Sequence, residues 1–510
     1  MSWLLIVFLI LLTCWLRWRR NNSRLLKMAR EIPGPPPLPG VGNALRFMCR
    51  PEEFIQVIRD LMRDYGDVLR FWLGPDLNVV VSNPDDLKIL LSNKKTSVKG
   101  PQYRYMANVL GGGILSGSGP SWRKHRKIAT PNYGKRAIES YSDVFNHEAE
   151  LLLQHYRPAA LSIGMKKEVD LYRYIVQTTS YSVCRTLMGL SKEQTMSLPY
   201  IQDIIDETPI LYDIVFDRMT KWYLQIDPVF WMTNFYKQQK SFVSKITAFS
   251  SAILQHRVEH LNTLEETRKV DLMNSEEDSL KNTQLSVIDR FILSQELNSE
   301  ELLKETFTIF TSSQEASAKI TSFILLMMAY HPDCQEKLYA EIKSVMGEDG
   351  RAVTDEDLKR MPYLEMVFKE VLRLYPIGAL LQRTISEDIA ISSAILPAGC
   401  SLVVPIYHLH RDPRHWERPD AFDPERFNPE NTTKRHPYCY IPFSLGPMDC
   451  LGRYFGTKLI KTICVRILQE FRVASEKTYD ELKLAIAISV VSVDGFHASL
   501  IPRTSKTNSH

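Results

Sequence analysis

The chain has few cysteines, no C-x-x-C pair and almost no net charge. Its eight cysteines are scattered over 510 residues. Such spacing is typical neither of a disulfide framework nor of a zinc site, and it indicates a reducing compartment. The formal net charge of +4 is close to neutral for this length, so it gives no indication of nucleic-acid binding. From Asn43 onward the sequence has neither a second linker nor an internal repeat.

The N-terminus holds the longest apolar run. Residues 3–16 read WLLIVFLILLTCWL, and three arginines follow within the next four positions. The run is shorter than the ~20 residues that a spanning helix needs, but Trp18 and the arginines can extend it at the membrane interface. A cleaved signal peptide is the alternative, although no basic residue precedes the run and no small-x-small cleavage site follows it. We predict a membrane anchor over residues 1–20, with the following positive charge keeping the remainder in the cytosol.

A basic and Pro-rich linker is predicted over residues 21–45, because residues 33–40 read PGPPPLPG and favour a stiff extended chain. Residues 46–510 then form one large domain. Its patterns are mostly helical with a smaller β portion, which predicts an α+β fold. The polar stretch 262–282 is interpreted as an exposed loop. Helical examples are residues 54–63 and 320–330, and strand examples are residues 68–73, 78–82, 389–391 and 401–405.

The most informative motif surrounds Cys450. Residues 443–452 read Phe-Ser-Leu-Gly-Pro-Met-Asp-Cys-Leu-Gly and are followed by a helical pattern. A helix N-terminus and a metal both lower a thiol pKa, so Cys450 is predicted to be a metal-bound thiolate. Gly446 and Gly452 allow backbone to approach a flat ring, and Phe443 can shield the sulfur. A buried structural cysteine is the alternative interpretation.

This motif resembles the haem-binding loop of the cytochrome P-450 monooxygenases, and the N-terminal layout is similar to that of their microsomal members. The resemblance implies the cytochrome P-450 fold and haem b, with Cys450 as the iron ligand. It also implies that Trp122, Arg126 and Arg383 contact the haem propionates. The first two of these are i, i+4 neighbours on a predicted helix.

A second constellation pairs Glu370 with Arg373, three residues apart on one helix face. Surface helices carry such pairs routinely, so the pair gains weight from Arg426 in a Pro-Glu-Arg-Phe segment downstream. In the family the corresponding residues lock together and fix the stretch that leads into the cysteine loop. Residues 372–376, 410–413 and 435–443 look most like the family-4 group, whose members hydroxylate fatty acids and related long aliphatic chains.

The distal pattern departs from the family. Glu315 takes the place of the acid that relays protons to bound dioxygen, but Ala316 replaces the neighbouring alcohol and Ser313 a glycine. Three interpretations stay open. Ser317 reaches the pocket if the helix is locally unwound; Glu315 works with ordered water alone; or the register is one residue earlier, with Gln314 as the acid equivalent.

The cysteine loop departs as well, at the two residues before Cys450. Met448 stands where the family usually has an Arg or His directed at a propionate, and Asp449 adds negative charge. We expect these two residues to lower the haem reduction potential.

Two functional classes follow from the resemblance. The first is a monooxygenase on the cytosolic face of the endoplasmic reticulum membrane, which inserts one oxygen atom from O2 into a lipophilic substrate. Its electrons come from NADPH through NADPH–cytochrome P-450 reductase, with cytochrome b5 as a second candidate donor. Fatty acids, hydrocarbons, steroids and xenobiotics are the substrate classes considered. The second class keeps the haem thiolate but has altered O2 activation, as in a hydroperoxide isomerase or dehydratase or a non-catalytic haem or lipid binder.

Overall fold

A computed structural model describes residues 2–161, 168–263, 285–348 and 350–503, most of which are helical. The helices in these residues are α1 (Ser2–Asn21), α2 (Ser23–Arg30), α3 (Pro51–Tyr65), α4 (Pro84–Ser92), α5 (Tyr103–Leu110), α6 (Gly119–Ala129), α7 (Lys135–Ser140), α8 (Ser142–Leu161), α9 (Leu171–Thr186), α10 (Lys192–Met196), α11 (Ile201–Thr220), α12 (Asp227–Trp231), α13 (Asn234–Asn262), α14 (Val287–Ser294), α15 (Ser299–Tyr330), α16 (Pro332–Met346), α17 (Asp355–Lys359), α18 (Pro362–Leu374), α19 (Ile406–Leu409), α20 (Pro429–Thr432) and α21 (Arg453–Glu470). Short 3-10 helices connect several of them, including one at Pro424–Phe427.

In the described residues the strands are short and lie in four small sheets. They are β1 (Val68–Leu73), β2 (Asp76–Val81), β3 (Val98–Lys99), β4 (Val169–Asp170), β5 (Leu381–Thr384), β6 (Ile389–Ala390), β7 (Ile395–Leu396), β8 (Ser401–Val404), β9 (Phe471–Ala474), β10 (Leu484–Ile486), β11 (Val490–Ser492) and β12 (His497–Pro502). The largest sheet has the order β1-β2-β8-β5-β3, with β2 and β8 parallel. In it Lys99 lies opposite Arg383, which brings two cations to one edge.

The central helix α15 organises the core. Asn298 caps it, and Glu301 completes a capping box with the Asn298 backbone. At 32 residues it is about 48 Å long, and it packs against α9, α13 and α21. Most of its side chains from Glu305 to Met328 are buried, as expected for a helix that crosses the middle of a large core.

These elements confirm the predicted α+β class and the secondary structure on which it depended. The helical patterns lie within α3 and α15, the four strand patterns correspond to β1, β2, β6 and β8, and the helix predicted after Cys450 is α21. Of the predicted loop at 262–282, Asn262 ends α13 and residues 264–282 lie outside the described residues.

The segment 21–45 is the predicted linker, of which only residues 33–40 were expected to be extended. It contains α2, and the chain after α2 lies against the large sheet rather than standing away from it. Ile32 is 1 % exposed, and the Arg70 backbone N–H donates to the Pro33 carbonyl at 2.7 Å. The Arg70 guanidinium also donates to the Ala29 carbonyl at 2.6 Å. Buried apolar contacts and these hydrogen bonds therefore attach the segment to the body.

Helix α1 covers the apolar N-terminal run and continues through its arginines. Its Trp18 ring meets Trp72 of β1 edge-on, with ring centroids 5.8 Å apart. Among the residues with a described structure, we find no helix whose length and apolarity suffice to cross a membrane.

Candidate functional site

A cavity of about 490 Å³ lies between α15 and the loop that carries Cys450. Its walls come from α3, α5, α6, α11, α18 and the large sheet, and most of them are apolar. Representative apolar lining residues are Phe47, Phe54, Phe71, Met106, Phe216 and Ile488. All seven residues predicted to bind the cofactor, except Gly446, line this cavity, and so do both predicted catalytic residues.

The cysteine loop is a hydrogen-bonded turn that presents Cys450 to the cavity. The Cys450 backbone N–H donates to the Phe443 carbonyl at 2.8 Å, and the Asp449 N–H donates to the Gly446 carbonyl at 3.1 Å. Gly446 has a φ of +83°, and a Cβ there would lie 2.1 Å from the carbonyl oxygen of Leu91. Gly446 is therefore required by loop geometry and packing, which differs from the close approach to a ring that the sequence suggested.

The Cys450 side chain is exposed to the cavity, but the surrounding protein partly desolvates its sulfur. Desolvation raises the pKa of the thiol, the Gly452 backbone N–H lowers it, and the neighbouring carboxylate of Asp449 raises it. The start of α21 thus acts in the predicted direction, but it does not outweigh the desolvation of the sulfur. A bound metal cation supplies the further stabilisation that a thiolate needs, so the site fits a thiolate that forms on metal binding.

Trp122 and Arg126 lie at the cavity wall, yet their donors have protein partners. The Trp122 indole N–H donates to the Ile114 carbonyl at 3.2 Å. The Arg126 guanidinium donates to the Asp449 backbone carbonyl at 2.7 Å and to the Asp449 carboxylate at 2.6 Å. Because an indole has one N–H, Trp122 binds a propionate only if it releases Ile114. Both predicted propionate partners therefore already make hydrogen bonds within the protein.

Two other basic residues, Arg383 and Lys99, line the cavity. Arg383 is 2 % exposed and donates to the Gln382 carbonyl at 3.1 Å. Burial lowers the pKa of Lys99 well below its ordinary range, and Arg383 and Arg126 lower it further. Such a cluster of cations is stabilised by a dianion, so the donor set fits two propionates. Met448 is buried at the same cavity and adds no charge.

Lys99 is the functional candidate that sequence reasoning missed. Its ammonium lies over the Tyr103 ring at 4.7 Å from the centroid, and both residues line the cavity. The strand β3 that carries it has only two residues, which gives almost no pattern. Its pairing with β5, opposite Arg383, is the signal that identifies it, and this pairing joins residues far apart in sequence.

On the distal side, the predicted acid is paired with a cation. Glu315 forms an ion pair with Lys319, one turn further along α15, and both side chains are 7 % exposed. Ser313 and Ala316 line the cavity beside it. With Glu315 as the acid, Ala316 places a methyl group where the family pattern has a hydroxyl.

Ser317 lines the cavity, but its hydroxyl is already hydrogen-bonded. Its hydroxyl donates to the Ser313 carbonyl at 2.7 Å, within the same helix. Helix α15 is α-helical along its whole length, so the local unwinding on which the Ser317 interpretation depended does not occur. Ser317 also lies towards α21, because a Cβ on Gly456 would be 3.7 Å from its hydroxyl. Of the two predicted catalytic residues, Glu315 is the better placed.

Glu370, Arg373 and Arg426, which we call the structural triad, lie together as predicted. Arg373 donates through Nε and Nη2 to the two Glu370 carboxylate oxygens, both at 2.7 Å. Arg426 lies 3.4 Å from Glu370, and the Asp423 backbone N–H donates to the same carboxylate at 2.9 Å. Arg373 also donates to the His410 carbonyl at 2.9 Å. A buried charge cluster with this many hydrogen bonds fixes the path of the chain that leads to the cysteine loop.

Comparisons with known proteins agree with this geometry. The family model described as "Cytochrome P450" matches residues 32–492. The chain is similar to Cytochrome P450 4c3 of Drosophila melanogaster, with 29% identity over 95% of this chain and 92% of the relative. It is also 30% identical to Cytochrome P450 4d2 of the same organism, over 98% of both chains. Cytochrome P450 4V2 of Homo sapiens is 30% identical over 88% of this chain and 85% of the relative.

Proposed function

Because the chain belongs to the cytochrome P450 family and is of the family-4 type, we propose that this monooxygenase acts on long lipophilic substrates. It inserts one oxygen atom from O2 into the substrate and takes its electrons from NADPH through a reductase. The observation that carries this proposal is a mostly apolar cavity with a cysteine at one side and an acid on the opposite helix. Fatty acids and hydrocarbons suit such a cavity best, and steroids and xenobiotics are also candidates.

The family implies haem with a cysteine thiolate ligand, and the residues at the cavity fit that group. Cys450 would hold the iron, and Arg383 and Lys99 would hold the propionates, with Arg126 and Trp122 contributing if they exchange their present partners. When bound, such a haem would supply O2 activation, and the Cys450 thiolate would favour that chemistry. Phe443 lines the same cavity as Cys450, and the Arg453 guanidinium lies over its ring at 5.3 Å from the centroid.

On the distal side, Glu315 is the proposed source of protons. Its neighbour Ala316 carries no hydroxyl, so Glu315 works through ordered water rather than through a side-chain alcohol. In this proposal Ser317 takes no part in proton delivery, and its hydroxyl donates to the Ser313 carbonyl of the same helix.

A second candidate function rests on the same substitution. Where no hydroxyl assists, a haem-thiolate site with altered O2 activation suits the isomerisation or dehydration of hydroperoxides, which need no proton relay to dioxygen. Non-catalytic binding of haem or lipid is the limiting case. Ala316 and the uncharged Met448 are the residues that favour this alternative.

We further propose that residues 1–20 attach the protein to the endoplasmic reticulum membrane and that residues 46–510 form the catalytic domain on its cytosolic face. Support comes from the exposed apolar side chains of α1, which include Trp3 at 80 %, Phe8 at 60 % and Leu5 at 59 % exposure. Arginines follow on the C-terminal side of this run. The reductase, and cytochrome b5 as a second donor, are the proposed protein partners.

The test is NADPH-dependent oxygen consumption by the full chain, reconstituted with reductase and lipid vesicles. A panel of fatty acids, alkanes and steroids is offered, and hydroxylated products are identified by mass spectrometry. We expect product from at least one aliphatic substrate, and none when the reductase is omitted. Turnover of a lipid hydroperoxide without any NADPH-supported product would contradict the monooxygenase and favour the second candidate.

A further inference from the structure

We propose that Lys319 is a positioning residue, which holds the distal acid Glu315 and connects it to the cavity wall formed by the turn after β10. This inference rests on the proposed function, because it concerns how Glu315 serves oxygen chemistry.

In the described part of the chain, Lys319 has two direct polar partners, and its charge also opposes the rise that burial causes in the pKa of Asp213. Besides its ion pair with Glu315, its ammonium donates to the Ser489 hydroxyl at 2.6 Å. Lys319 is 6 % exposed and Ser489 is 4 % exposed. A buried lysine is costly unless it is paired and hydrogen-bonded, and these two partners meet that need.

The same face of α15 carries a second polar contact one turn earlier. The Tyr212 hydroxyl of α11 lies 2.9 Å from the Thr311 hydroxyl. Thr311, Glu315 and Lys319 are spaced four residues apart, so they share a face that is directed towards α11 and the β10–β11 turn. Within this row Lys319 supplies the positive charge that balances the Glu315 carboxylate.

Ser489 links this row to a surface that a substrate would touch. The turn between β10 and β11 is closed by the Ala487 N–H, which donates to the Ser489 carbonyl at 3.1 Å. Ala487, Ile488 and Ser489 line the cavity together with Glu315, whereas Lys319 does not line it. Lys319 therefore acts through Glu315 and the turn. A substrate that packs against Ile488 would contact the turn that contains Ser489. Through Ser489 and Lys319 this turn orients Glu315.

The experiment is a double-mutant cycle in the full-length holoenzyme: wild type, Lys319→Met, Glu315→Gln and the double variant, with Lys319→Arg as the conservative replacement. Two quantities are measured. The first is the thermal unfolding midpoint, which needs no turnover. The second is the ratio of hydrogen peroxide to hydroxylated product per NADPH consumed. The matched control is Lys304→Met, which removes the lysine of an i, i+4 pair with Glu300 on the same helix at a more exposed position.

We expect Lys319→Met alone to lower the unfolding midpoint more than the same change does in the Glu315→Gln background, because only the former leaves a buried carboxylate unpaired. We also expect its product per NADPH to fall by about tenfold, which is less than the ~10²–10⁴-fold that a general acid–base group contributes, because Glu315 itself is still present. Lys319→Arg should recover most of both losses, and Lys304→Met should change neither.

Equal shifts of the midpoint in both backgrounds would overturn the proposal, since Lys319 would then be an independent structural residue. An unchanged peroxide-to-product ratio in a folded Lys319→Met enzyme would overturn it too. If the wild type gives no NADPH-supported product at all, the proposed function fails, and the unfolding cycle alone still decides whether Lys319 acts through Glu315.

Discussion

The guanidinium of Arg126 is bound twice by Asp449, once through its carboxylate at 2.6 Å and once through its backbone carbonyl at 2.7 Å. This contact joins helix α6 to the residue next to Cys450, the proposed iron ligand. It also neutralises a cation that the family resemblance assigns to a haem propionate. At the proposed haem site we therefore expect Asp449 to weaken the positive field, and Met448 adds no charge to compensate.

The variant Asp449→Asn tests this relationship. Removing the carboxylate frees the charge of Arg126, so we expect the haem reduction potential to rise by on the order of 60 mV, the equivalent of ~1.4 kcal/mol for a one-electron couple. Spectroelectrochemical titration of the purified protein measures it. Glu259→Gln, an exposed change on α13, is the control and should leave the potential unchanged. A lower potential in Asp449→Asn would contradict the assignment.

Lys99 is expected to contribute to haem retention. Lys99→Met removes one charge-assisted hydrogen bond, worth ~1.5–3 kcal/mol, so haem affinity should fall by about tenfold or more. The measurement is the rate of haem transfer to excess apomyoglobin. Lys99→Arg should retain most of the affinity, and Lys95→Met, in an exposed pair with Glu387, should behave like the wild type. Equal transfer rates for Lys99→Met and Lys95→Met would exclude a role for Lys99.

The missing hydroxyl on α15 can be restored. Ala316→Thr places an alcohol next to Glu315 at the cavity, and we expect a severalfold higher ratio of product to peroxide, since proton delivery improves. Ala316→Val has a similar shape without the hydroxyl and separates chemistry from packing. If Val improves the ratio as much as Thr, the absent alcohol is not what distinguishes this distal site.

Acid sensitivity provides a test of the region around the triad. His410 is fully buried, its Nε2 accepts a hydrogen bond from the Ile441 N–H at 2.9 Å, and its Nδ1 lies 3.2 Å from the Arg373 carbonyl. Burial and the charge of Arg373 lower the pKa of His410 from 6.5 to about 3. Below pH 6.5 the unfolded chain thus binds a proton that the folded protein excludes. The stability that depends on a neutral His410 is therefore fully present above pH 6.5 and is lost as the pH falls towards 3.

We expect this one group to change the free energy of unfolding by about 1.4 kcal/mol per pH unit within that window. In His410→Asn the slope between pH 4 and pH 6, measured by denaturant titration, should be smaller by about that amount. The exposed His147→Asn serves as the control. An identical slope in His410→Asn and wild type would show that His410 is not excluded from protonation. Comparing slopes removes the constant loss that the substitution itself causes.

The predictable parts of the site are those written in local sequence. The cysteine loop, the Glu370–Arg373 spacing and the helix carrying Trp122 and Arg126 all follow from residues within a few positions of one another, and each forms as expected. What the sequence did not reveal depends on long-range pairing. Lys99 is a candidate only because β3, which has two residues, pairs with β5. Asp449 binds Arg126, although more than three hundred residues separate them in the sequence.

Helix α15 also shows that the surroundings of a residue depend on tertiary packing, even when its partner is close in the sequence. The local pattern identified Glu315, and its i+4 neighbour was already visible in the sequence, but the burial of Lys319 and its bond to Ser489 required the packing of the β10–β11 turn. Likewise, the proline-rich segment was predicted to be extended. Its docking on β1 depends on Arg70, which no pattern within the segment indicates.

The central claim is that Cys450 supplies a thiolate to haem iron, and the carbon monoxide difference spectrum of the reduced full-length protein tests it most directly. We predict the long-wavelength Soret band that is diagnostic of thiolate ligation in the wild type, and its loss in Cys450→Ala. Cys464→Ala, which changes a buried cysteine on α21 outside the cavity lining, should keep the band. A wild-type spectrum without that band, or a Cys450→Ala spectrum that retains it, would contradict the account.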